Sequence, residues 1–162
     1  MRIIVAADDN WGIGKDGKLL YHIPADMKVF KQKTLYNIVI MGRKTLESLP
    51  DGKPLKSRIN VIMTRNQDFT KEGCFIVHNV EELQALCERW NTSDIYVIGG
   101  SEIYRELLPY CDTVFLTKIH AAEEADAYFP DLDKNEAWKL IHETSEKEYN
   151  GIRYRFCKYG RV

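Results

Sequence analysis

The sequence predicts an α/β fold: a single domain with a central mixed, mostly parallel β-sheet of about eight strands, ending in a C-terminal antiparallel hairpin and flanked by about four helices. Three observations support this fold class. Short β-branched runs recur along the 162 residues, helical segments lie between them, and the dipeptide Asn150-Gly151 is a strong hairpin signal.

The predicted strands are runs of β-branched and aromatic residues. Several are apolar on both faces, which is typical of central strands covered by helices. They are residues 3–7 (IIVAA), 38–41 (IVIM), 59–63 (INVIM), 75–77 (FIV), 95–98 (IYVI) and 113–119 (TVFLTKI), followed by the runs 138–147 and 153–158 on either side of the hairpin turn.

The predicted helices have start and stop signals. Residues 25–34 follow Pro24, and residues 80–90 begin after the capping pair Asn79 and Glu82. Residues 101–108 run into a proline at position 109. Helices that alternate with strands in this way favour a parallel sheet.

Composition excludes several function classes. The 23 Lys and Arg against 24 Asp and Glu give a formal net charge of -1, so no charge bias attracts nucleic acid or an anionic membrane. No apolar run approaches the ~20 residues of a membrane span, and acidic residues follow the first strand too early for a signal peptide. The four cysteines and four histidines lack metal-ligand spacing. We expect a cytoplasmic protein with reduced thiols, no metal and a small-molecule partner.

The stretch "WGIGKDGKLL" fits the spacing of a dinucleotide-binding turn from Gly12 to Gly17. That turn passes directly into a helix, whereas here residues 18–23 lead to Pro24. A phosphate-binding loop needs Ser or Thr after its lysine, and Leu19 stands there. Both matches are therefore rejected, and a glycine-rich loop of about a dozen residues remains, either a functional lid or an ordinary surface loop.

Asp26 is a candidate ligand-binding acid. It lies in the first turn of the helix after Pro24, with Met27 beside it and Phe30 on the same face. An acid at this position commonly serves the helix dipole. A carboxylate against apolar side chains also suits an amidine-like ligand, because it needs a cationic or hydrogen-bonding partner.

Three strand ends are suited to phosphates. The strand at 38–41 runs into "GRKT" at 42–45, the strand at 95–98 into "GGSE" at 99–102, and the strand at 59–63 into Thr64 and Arg65. Glycine lets the backbone approach a ligand where free N–H groups attract anions. Together they predict a nucleotide lying across the carboxyl edge of the sheet.

These stretches resemble the dihydrofolate reductase family. The stretch "GIGKDGKLLYHIPADMKVFKQKT" resembles its lid and substrate helix, "VIMGRKTLESL" its first cofactor turn, "NVIMTR" its ribose-phosphate strand, "YVIGGSEIY" its glycine pair, and "FLTKIHAAEEADAYFP" its late strand and outer loop. They follow the order and spacing of the family across all 162 residues.

The resemblance implies one reductase domain over residues 1–162 and hydride transfer from NADPH to dihydrofolate, which yields tetrahydrofolate for one-carbon metabolism. It also implies a cytoplasmic monomer that binds antifolate inhibitors and neither nucleic acid nor membrane. Among the catalytic residues, Asp26 matches the acid that binds the pterin, Thr117 the hydroxyl that joins it, and Tyr21 the position of an indole that holds an ordered water. The residues matching the substrate pocket are Ile4, Val5, Met27, Phe30, Leu49, Leu55 and Ile98, with Arg58 matching the guanidinium that grips the glutamate α-carboxylate.

The resemblance likewise assigns a cofactor site. Ala6, Ile13 and Gly14 match the residues beside the nicotinamide, and Arg43, Thr64 and Arg65 match the clamp on the 2′-phosphate. The remaining cofactor positions are Gly42, Lys44, Thr45, Ile98, Gly99, Gly100, Ser101, Glu102, Ile103 and Tyr104.

The chain departs from the family at four places. This chain has Leu20-Tyr21 where the family usually has Pro-Trp, and Lys56-Ser57 where it usually has Pro-Gly. It has Glu102 where a basic residue is common, and Ala127 where a threonine is common. Two alternatives stay open: a related reductase of another pterin or pyrimidine, as in the riboflavin pathway, or a pterin- or nucleotide-binding protein with little turnover. Arg58 and Phe30 favour the dihydrofolate activity, because they suit a benzoylglutamate tail.

Overall fold

The computed structural model describes residues 1–90 and 94–162, which form four α-helices and twelve strands. The helices are α1 (Pro24–Thr34), α2 (Arg43–Ser48), α3 (Val80–Trp90) and α4 (Ser101–Leu107). The strands are β1 (Arg2–Ala7), β2 (Gly12–Lys15), β3 (Lys18–Leu19), β4 (Ile38–Gly42), β5 (Ile59–Met63), β6 (Cys74–Val77), β7 (Ile95–Gly99), β8 (Thr113–His120), β9 (Ala127–Tyr128), β10 (Trp138–Glu143), β11 (Lys147–Tyr149) and β12 (Ile152–Arg161).

The large sheet confirms the predicted fold class. Eight strands lie in the order β10-β12-β8-β1-β7-β4-β5-β6, and β11 pairs with β12 beside this path. The strands from β8 to β6 pair in parallel, whereas β12 runs antiparallel to β8, β10 and β11. Because β7, β4 and β5 are parallel neighbours, their carboxyl ends meet at one edge of the sheet.

Two faces of the sheet carry different cores. Alternate side chains of the central strands pack with α3 and α4, where Leu83 and Leu107 are fully buried. Burying a leucine contributes about 1.5–3 kcal/mol. The opposite face carries two smaller clusters, one around Met41, Leu46 and Ile62 and one around Ile23, Ile119 and Tyr154.

The expected glycine-rich loop is a folded β-structure. Strand β2 pairs with β3 and with β9, forming a separate three-stranded sheet. A turn with positive φ at Asp16 (52°) and Gly17 (77°) joins β2 to β3. These strands have no recognisable sequence signal, because they are very short and rich in glycine.

The C-terminal segment also differs from expectation. The predicted strand at 138–147 is divided into β10 and β11, and between them the Thr144 N–H donates to the Phe156 carbonyl (2.9 Å). The hairpin turn is as predicted: Asn150 and Gly151 have φ values of 49° and 79°, which a type I′ turn requires. Over residues 1–90 and 94–162, no helix has the length and apolar character needed to cross a membrane.

Candidate active site

The site centres on Asp26 and Thr117. Pro24 opens α1 and places Asp26 in its first turn, while Thr117 lies on β8 with 5% of its surface exposed. The Thr117 hydroxyl donates a hydrogen bond of 2.5 Å to Asp26 Oδ1. Burial raises the pKa of Asp26 above the ordinary value, and the hydrogen bond from Thr117 opposes that rise.

Tyr104 lies behind this acid. Its hydroxyl donates to the Ile4 carbonyl (2.9 Å). Burial raises the pKa of Tyr104 strongly, and the negative charge of Asp26 raises it further. Tyr104 is therefore neutral at physiological pH, and it fixes the backbone of β1 beside the site.

We use the term apolar slot for the predicted substrate residues, of which Met27 and Phe30 lie on α1. The others are Ile4, Leu49, Leu55 and Ile98. Met27 exposes 41% of its surface. Leu49, Leu55 and Ile98 pack at the margin of the cluster around Met41. Val5 differs from its neighbour Ile4, because its side chain is buried in the main core. Accessible apolar surface of this kind is typical of a pocket for a flat, partly apolar ligand.

The Arg58 side chain is held by two hydrogen bonds. Its Nη1 donates to Thr34 Oγ1 (3.1 Å) and its Nε to the Lys56 carbonyl (2.9 Å). Burial lowers the pKa of Arg58, which still leaves the guanidinium charged. An immobilised guanidinium suits a carboxylate.

Asn60 organises the turn that carries Arg58. This side chain is 2% exposed. It accepts from the Leu55 N–H (3.0 Å) and donates to the carbonyls of Leu55 (2.9 Å) and Arg58 (3.1 Å). The sequence analysis did not single out Asn60, since the only signal for it is a polar residue inside an apolar strand.

A cleft of about 810 Å³ lies at the carboxyl edge formed by β4, β5 and β7. Its lining combines backbone, hydroxyl groups and cationic side chains. The lining residues are Gly42, Arg43, Lys44, Thr45, Met63, Thr64, Arg65, His78, Gly100, Ser101, Glu102, Ile103, Arg105 and Glu106. The cleft therefore brings together all three strand ends that the sequence predicted to bind phosphate.

The glycines of the cleft permit close approach of the backbone. A Cβ atom at Gly42 would lie 3.0 Å from Ile103 Cγ1, and one at Gly100 would lie 3.5 Å from Thr45 Oγ1. Gly99 has a φ of 130°, which favours glycine. The donor set and the volume fit a dinucleotide, with cationic groups for its phosphates.

Arg43 and His78 have defined neighbours within the cleft. Arg43 pairs with Glu47 (Nε to Oε1, 2.8 Å) and lies 5.0 Å from the centre of the Phe69 ring. His78 Nδ1 lies 2.8 Å from the Thr64 carbonyl oxygen, so Nδ1 carries the proton. The sequence analysis missed His78 and Arg105, because neither directly follows a strand end with glycine.

Of the described residues, six predicted for the cofactor lie outside the lining of this cleft: Ala6, Ile13, Gly14, Ile98, Gly99 and Tyr104. Gly99 adjoins it, since a Cβ atom there would lie 3.6 Å from Thr45 Oγ1. Ile13 and Gly14 belong to β2. These residues extend from the cleft toward Asp26 and the small sheet.

The Tyr21 hydroxyl has two partners within the protein. Its hydroxyl donates to Asp8 Oδ2 (2.9 Å) and accepts from the Glu123 N–H (3.1 Å). Burial, followed by the hydrogen bond to Asp8, raises the pKa of Tyr21 strongly. The single hydroxyl proton is committed to Asp8, so a water-donating role for Tyr21 remains a prediction without a structural observation behind it.

The described residues contain neither a metal-binding cluster nor a disulfide. Within residues 1–90 and 94–162, no group of three or more His, Cys, Asp or Glu side chains is placed to hold a metal ion. Cys74, Cys87, Cys111 and Cys157 are free thiols.

Comparisons with known proteins agree on one family. A protein-family model described as dihydrofolate reductase matches residues 1–161. The chain is 38% identical over 158 residues to a dihydrofolate reductase of Bacillus subtilis (strain 168), covering 96% of this chain and 91% of the relative. It is 35% identical over 162 residues to one of Staphylococcus haemolyticus, covering 99% and 95%.

A solved structure agrees with the sequence relatives. It is described as dihydrofolate reductase from Enterococcus faecalis complexed with NADP(H) and RAB-propyl. It matches with a TM-score of 0.87 and 34% identity, covering 99% of this chain and 95% of that chain.

Proposed function

The chain belongs to the dihydrofolate reductase family, and from that premise we propose that it reduces 7,8-dihydrofolate to 5,6,7,8-tetrahydrofolate with NADPH. It is an NADPH-dependent oxidoreductase by membership of this family. The observation that carries the proposal is the hydrogen-bonded pair of Asp26 and Thr117, which α1 and β8 bring together. When bound, NADPH supplies the hydride.

Asp26 anchors the pterin in this proposal. Its carboxylate accepts hydrogen bonds from the amino group and a ring N–H of the substrate, while Thr117 orients the carboxylate. Burial makes an unpaired negative charge unfavourable, so paired donors from the ligand stabilise the ionised form. The ring is thereby fixed at one face of the slot.

The slot and Arg58 hold the rest of the substrate. Met27 and Phe30 from α1 face Leu49, Leu55 and Ile98 across the ring system, with Ile4 contributing at the inner end. Val5 contributes through its backbone, since its side chain is packed in the core. The guanidinium of Arg58 binds the glutamate α-carboxylate as a charge-assisted pair.

The cleft binds the cofactor. Arg43, Thr64 and Arg65 surround the 2′-phosphate, and His78 adds an imidazole on the same side. The backbone at Gly42, Gly99 and Gly100, with the groups of Lys44, Thr45, Ser101, Glu102, Ile103 and Tyr104, carries the pyrophosphate region. Ala6, Ile13, Gly14 and Ile98 position the nicotinamide end against the pterin and exclude water.

We further propose that residues 1–162 act as one domain, in a cytoplasmic monomer that takes antifolate inhibitors in the same slot and binds neither nucleic acid nor membrane. The sheet supports the single domain, because β1 near the start of the chain lies next to β8, and β8 pairs with the C-terminal β12. The four free thiols fit a reducing compartment. Sedimentation of the purified protein tests the monomer.

The decisive assay follows the loss of NADPH absorbance with dihydrofolate and identifies tetrahydrofolate as the product. Oxidation that requires dihydrofolate supports the proposal. NADPH oxidation with an aminouracil substrate of the riboflavin pathway, but not with dihydrofolate, would instead identify the protein as the related reductase. Tight binding of both ligands without oxidation would leave a binding protein with little turnover.

A further inference from the structure

Asp8 is a buried acid that the proposed reaction does not use. It follows β1 directly and exposes 3% of its surface. Its Oδ1 accepts from the N–H groups of Gly12 (2.8 Å) and Asn10 (3.0 Å). Its Oδ2 accepts from the Tyr21 hydroxyl (2.9 Å) and the Glu123 N–H (3.2 Å). One carboxylate therefore joins several separate parts of the chain.

We propose that Asp8 is a positioning residue that holds the lid, defined as residues 9–21, over the site by binding both of its ends. Gly12 begins β2 at one end, and Tyr21 follows β3 at the other. The Glu123 N–H comes from the connection between β8 and β9, against which the lid packs. Asp8 thus connects the two ends of the lid to each other and to the segment between β8 and β9.

Backbone hydrogen bonds also connect Asp8 to the first residues of the lid. The Asp8 N–H donates to the Gly12 carbonyl (3.1 Å), and the Trp11 N–H donates to the Asp8 carbonyl (2.9 Å). A Cβ atom at Gly12 would lie 3.1 Å from Asp8 Oδ1, 3.0 Å from Ala125 Cβ and 3.1 Å from Leu20 Cδ1. Glycine at position 12 therefore lets the lid backbone lie directly against the carboxylate, where a larger side chain would crowd its neighbours.

Among residues 1–90 and 94–162, these four donors satisfy the buried carboxylate of Asp8. A carboxylate withdrawn from water is costly unless several hydrogen bonds satisfy it. Here two backbone N–H groups of the lid, one hydroxyl and one neighbouring N–H do so. Moving residue 21 away would remove the Tyr21 hydroxyl from this charge, so the carboxylate favours the arrangement seen here.

The lid connects Asp8 to the reaction, and the inference rests on the proposed function at this step. Strand β2 carries Ile13 and Gly14, which we assign to the nicotinamide end of the cofactor. Asp8 lies at the base of that strand and touches neither ligand in this assignment. It acts through the position of β2, and misplacement by about 1 Å at a reacting centre can slow a reaction by about 100-fold.

The proposal also accounts for Tyr21 in place of the indole expected from the family resemblance. A tyrosine hydroxyl projects from the tip of the ring, and here it reaches Asp8 Oδ2. The ring itself packs beside the cluster of Ile23, Ile119 and Tyr154. Tyr21 is thus the partner that lets one acid hold the far end of the lid.

The test compares Asp8→Asn with Asp9→Asn. Both remove one negative charge from the same turn, but Asp9 is half exposed, and its Oδ1 lies 3.5 Å from His120 Nδ1. We expect Asp8→Asn to slow single-turnover hydride transfer by about tenfold or more, because β2 loses its fixed position. We expect Asp9→Asn to match the parent protein.

Two further measurements separate positioning from general stability and from the proposed function. Amide hydrogen exchange in the ligand-free protein should accelerate over residues 9–21 in Asp8→Asn and stay unchanged in β4 and β5. Binding of 2′,5′-ADP, which occupies only the adenosine end of the cleft, should also stay unchanged. These readouts need no turnover, so they test Asp8 even if the parent protein fails to reduce dihydrofolate.

A double-mutant cycle uses Tyr21→Phe, which removes one of the four hydrogen bonds to Asp8 and keeps the ring. It should slow hydride transfer in the parent protein and have little further effect in Asp8→Asn. Independent effects of the two substitutions would overturn the proposal. So would unchanged exchange over residues 9–21 in Asp8→Asn, or accelerated exchange throughout the sheet.

Discussion

Thr117 and Asp26 are 91 positions apart in the chain, and the Thr117 hydroxyl donates to Asp26 Oδ1 at 2.5 Å. This contact joins the middle of β8 to the first turn of α1. It partly offsets the burial that raises the pKa of Asp26. Burial makes the ionised form of Asp26 unfavourable in the absence of a ligand. A ligand with paired N–H groups would stabilise the ionised carboxylate by hydrogen bonding.

Replacing this acid by its amide tests its role in hydride transfer. Asp26→Asn keeps the shape and removes the charge, so the rate at neutral pH should fall by about 100-fold or more. The rate should recover partly in acid, where solvent protonates the pterin before the reaction. Stopped-flow hydride rates across pH measure both effects. Glu88→Gln on α3 serves as the control, and an unchanged rate in Asp26→Asn would contradict the assignment.

The same substitution should stabilise the ligand-free protein at neutral pH. Because the pKa of Asp26 is higher in the folded than in the unfolded state, the folded protein binds the proton more tightly. The parent protein therefore loses stability as pH rises from the ordinary aspartate value of 3.8 through the raised pKa. Asp26→Asn avoids that loss.

Thermal unfolding of the two proteins across this range measures the difference. It should be small below pH 3.8, grow as pH rises and level off above the raised pKa. Each kcal/mol moves the melting temperature by about 2–4 °C for a chain of this size. A difference that shrinks as pH rises would contradict the burial argument.

Cofactor preference should depend on Arg43 and Arg65. Charge-assisted contacts contribute about 1.5–3 kcal/mol each, and exposure places these two at the lower end. Each alanine substitution should therefore reduce the preference for NADPH over NADH by about tenfold, as measured by equilibrium binding of both cofactors. Glu47→Gln is the matched control: it removes the partner of Arg43, so the preference should persist or rise. A double variant with the parental ratio would place the 2′-phosphate elsewhere.

Much of the fold follows from local patterns. Apolar β-branched runs identified the central strands, including β5 at its observed bounds, and α3 begins where Asn79 predicts, with the Glu82 N–H donating to Asn79 Oδ1 at 2.8 Å. Such signals depend on residues close in sequence. The small sheet was not predicted because β2 and β3 are short and glycine-rich, and because β9 pairs with β2 from far along the chain.

The site was predicted where residue type and strand ends coincide, as at Arg43 and Arg65. Asp8 was missed because an acid after a strand is common on surfaces. Its burial depends on Glu123, 115 residues away. Asn60 was missed for a related reason: its partners form a turn that the strand pattern does not describe. Buried polar groups are defined by tertiary contacts, which local periodicity does not contain.

Asn60 should control substrate affinity through the turn that carries Arg58. Asn60→Asp keeps the size but replaces the amide N–H groups, which donate to the carbonyls of Leu55 and Arg58, by an acceptor. The resulting repulsion should destabilise the fold by about 1–3 kcal/mol. It should also raise the KM for dihydrofolate by about tenfold, since the charge-assisted contact of Arg58 is displaced. Binding of NADPH should not change.

A pterin substrate without the glutamate tail distinguishes this mechanism from general loosening of the slot. Its KM should be the same in the parent protein and in Asn60→Asp, because Arg58 has no carboxylate to bind. Arg58→Leu should raise the KM for dihydrofolate similarly, and adding Asn60→Asp should then have little further effect. Asn135→Asp is the control, because Asn135 Oδ1 accepts from the Ala137 N–H and an aspartate can do the same. If Asn60→Asp weakens both substrates equally, Asn60 supports the wall at Leu55 rather than the grip of Arg58.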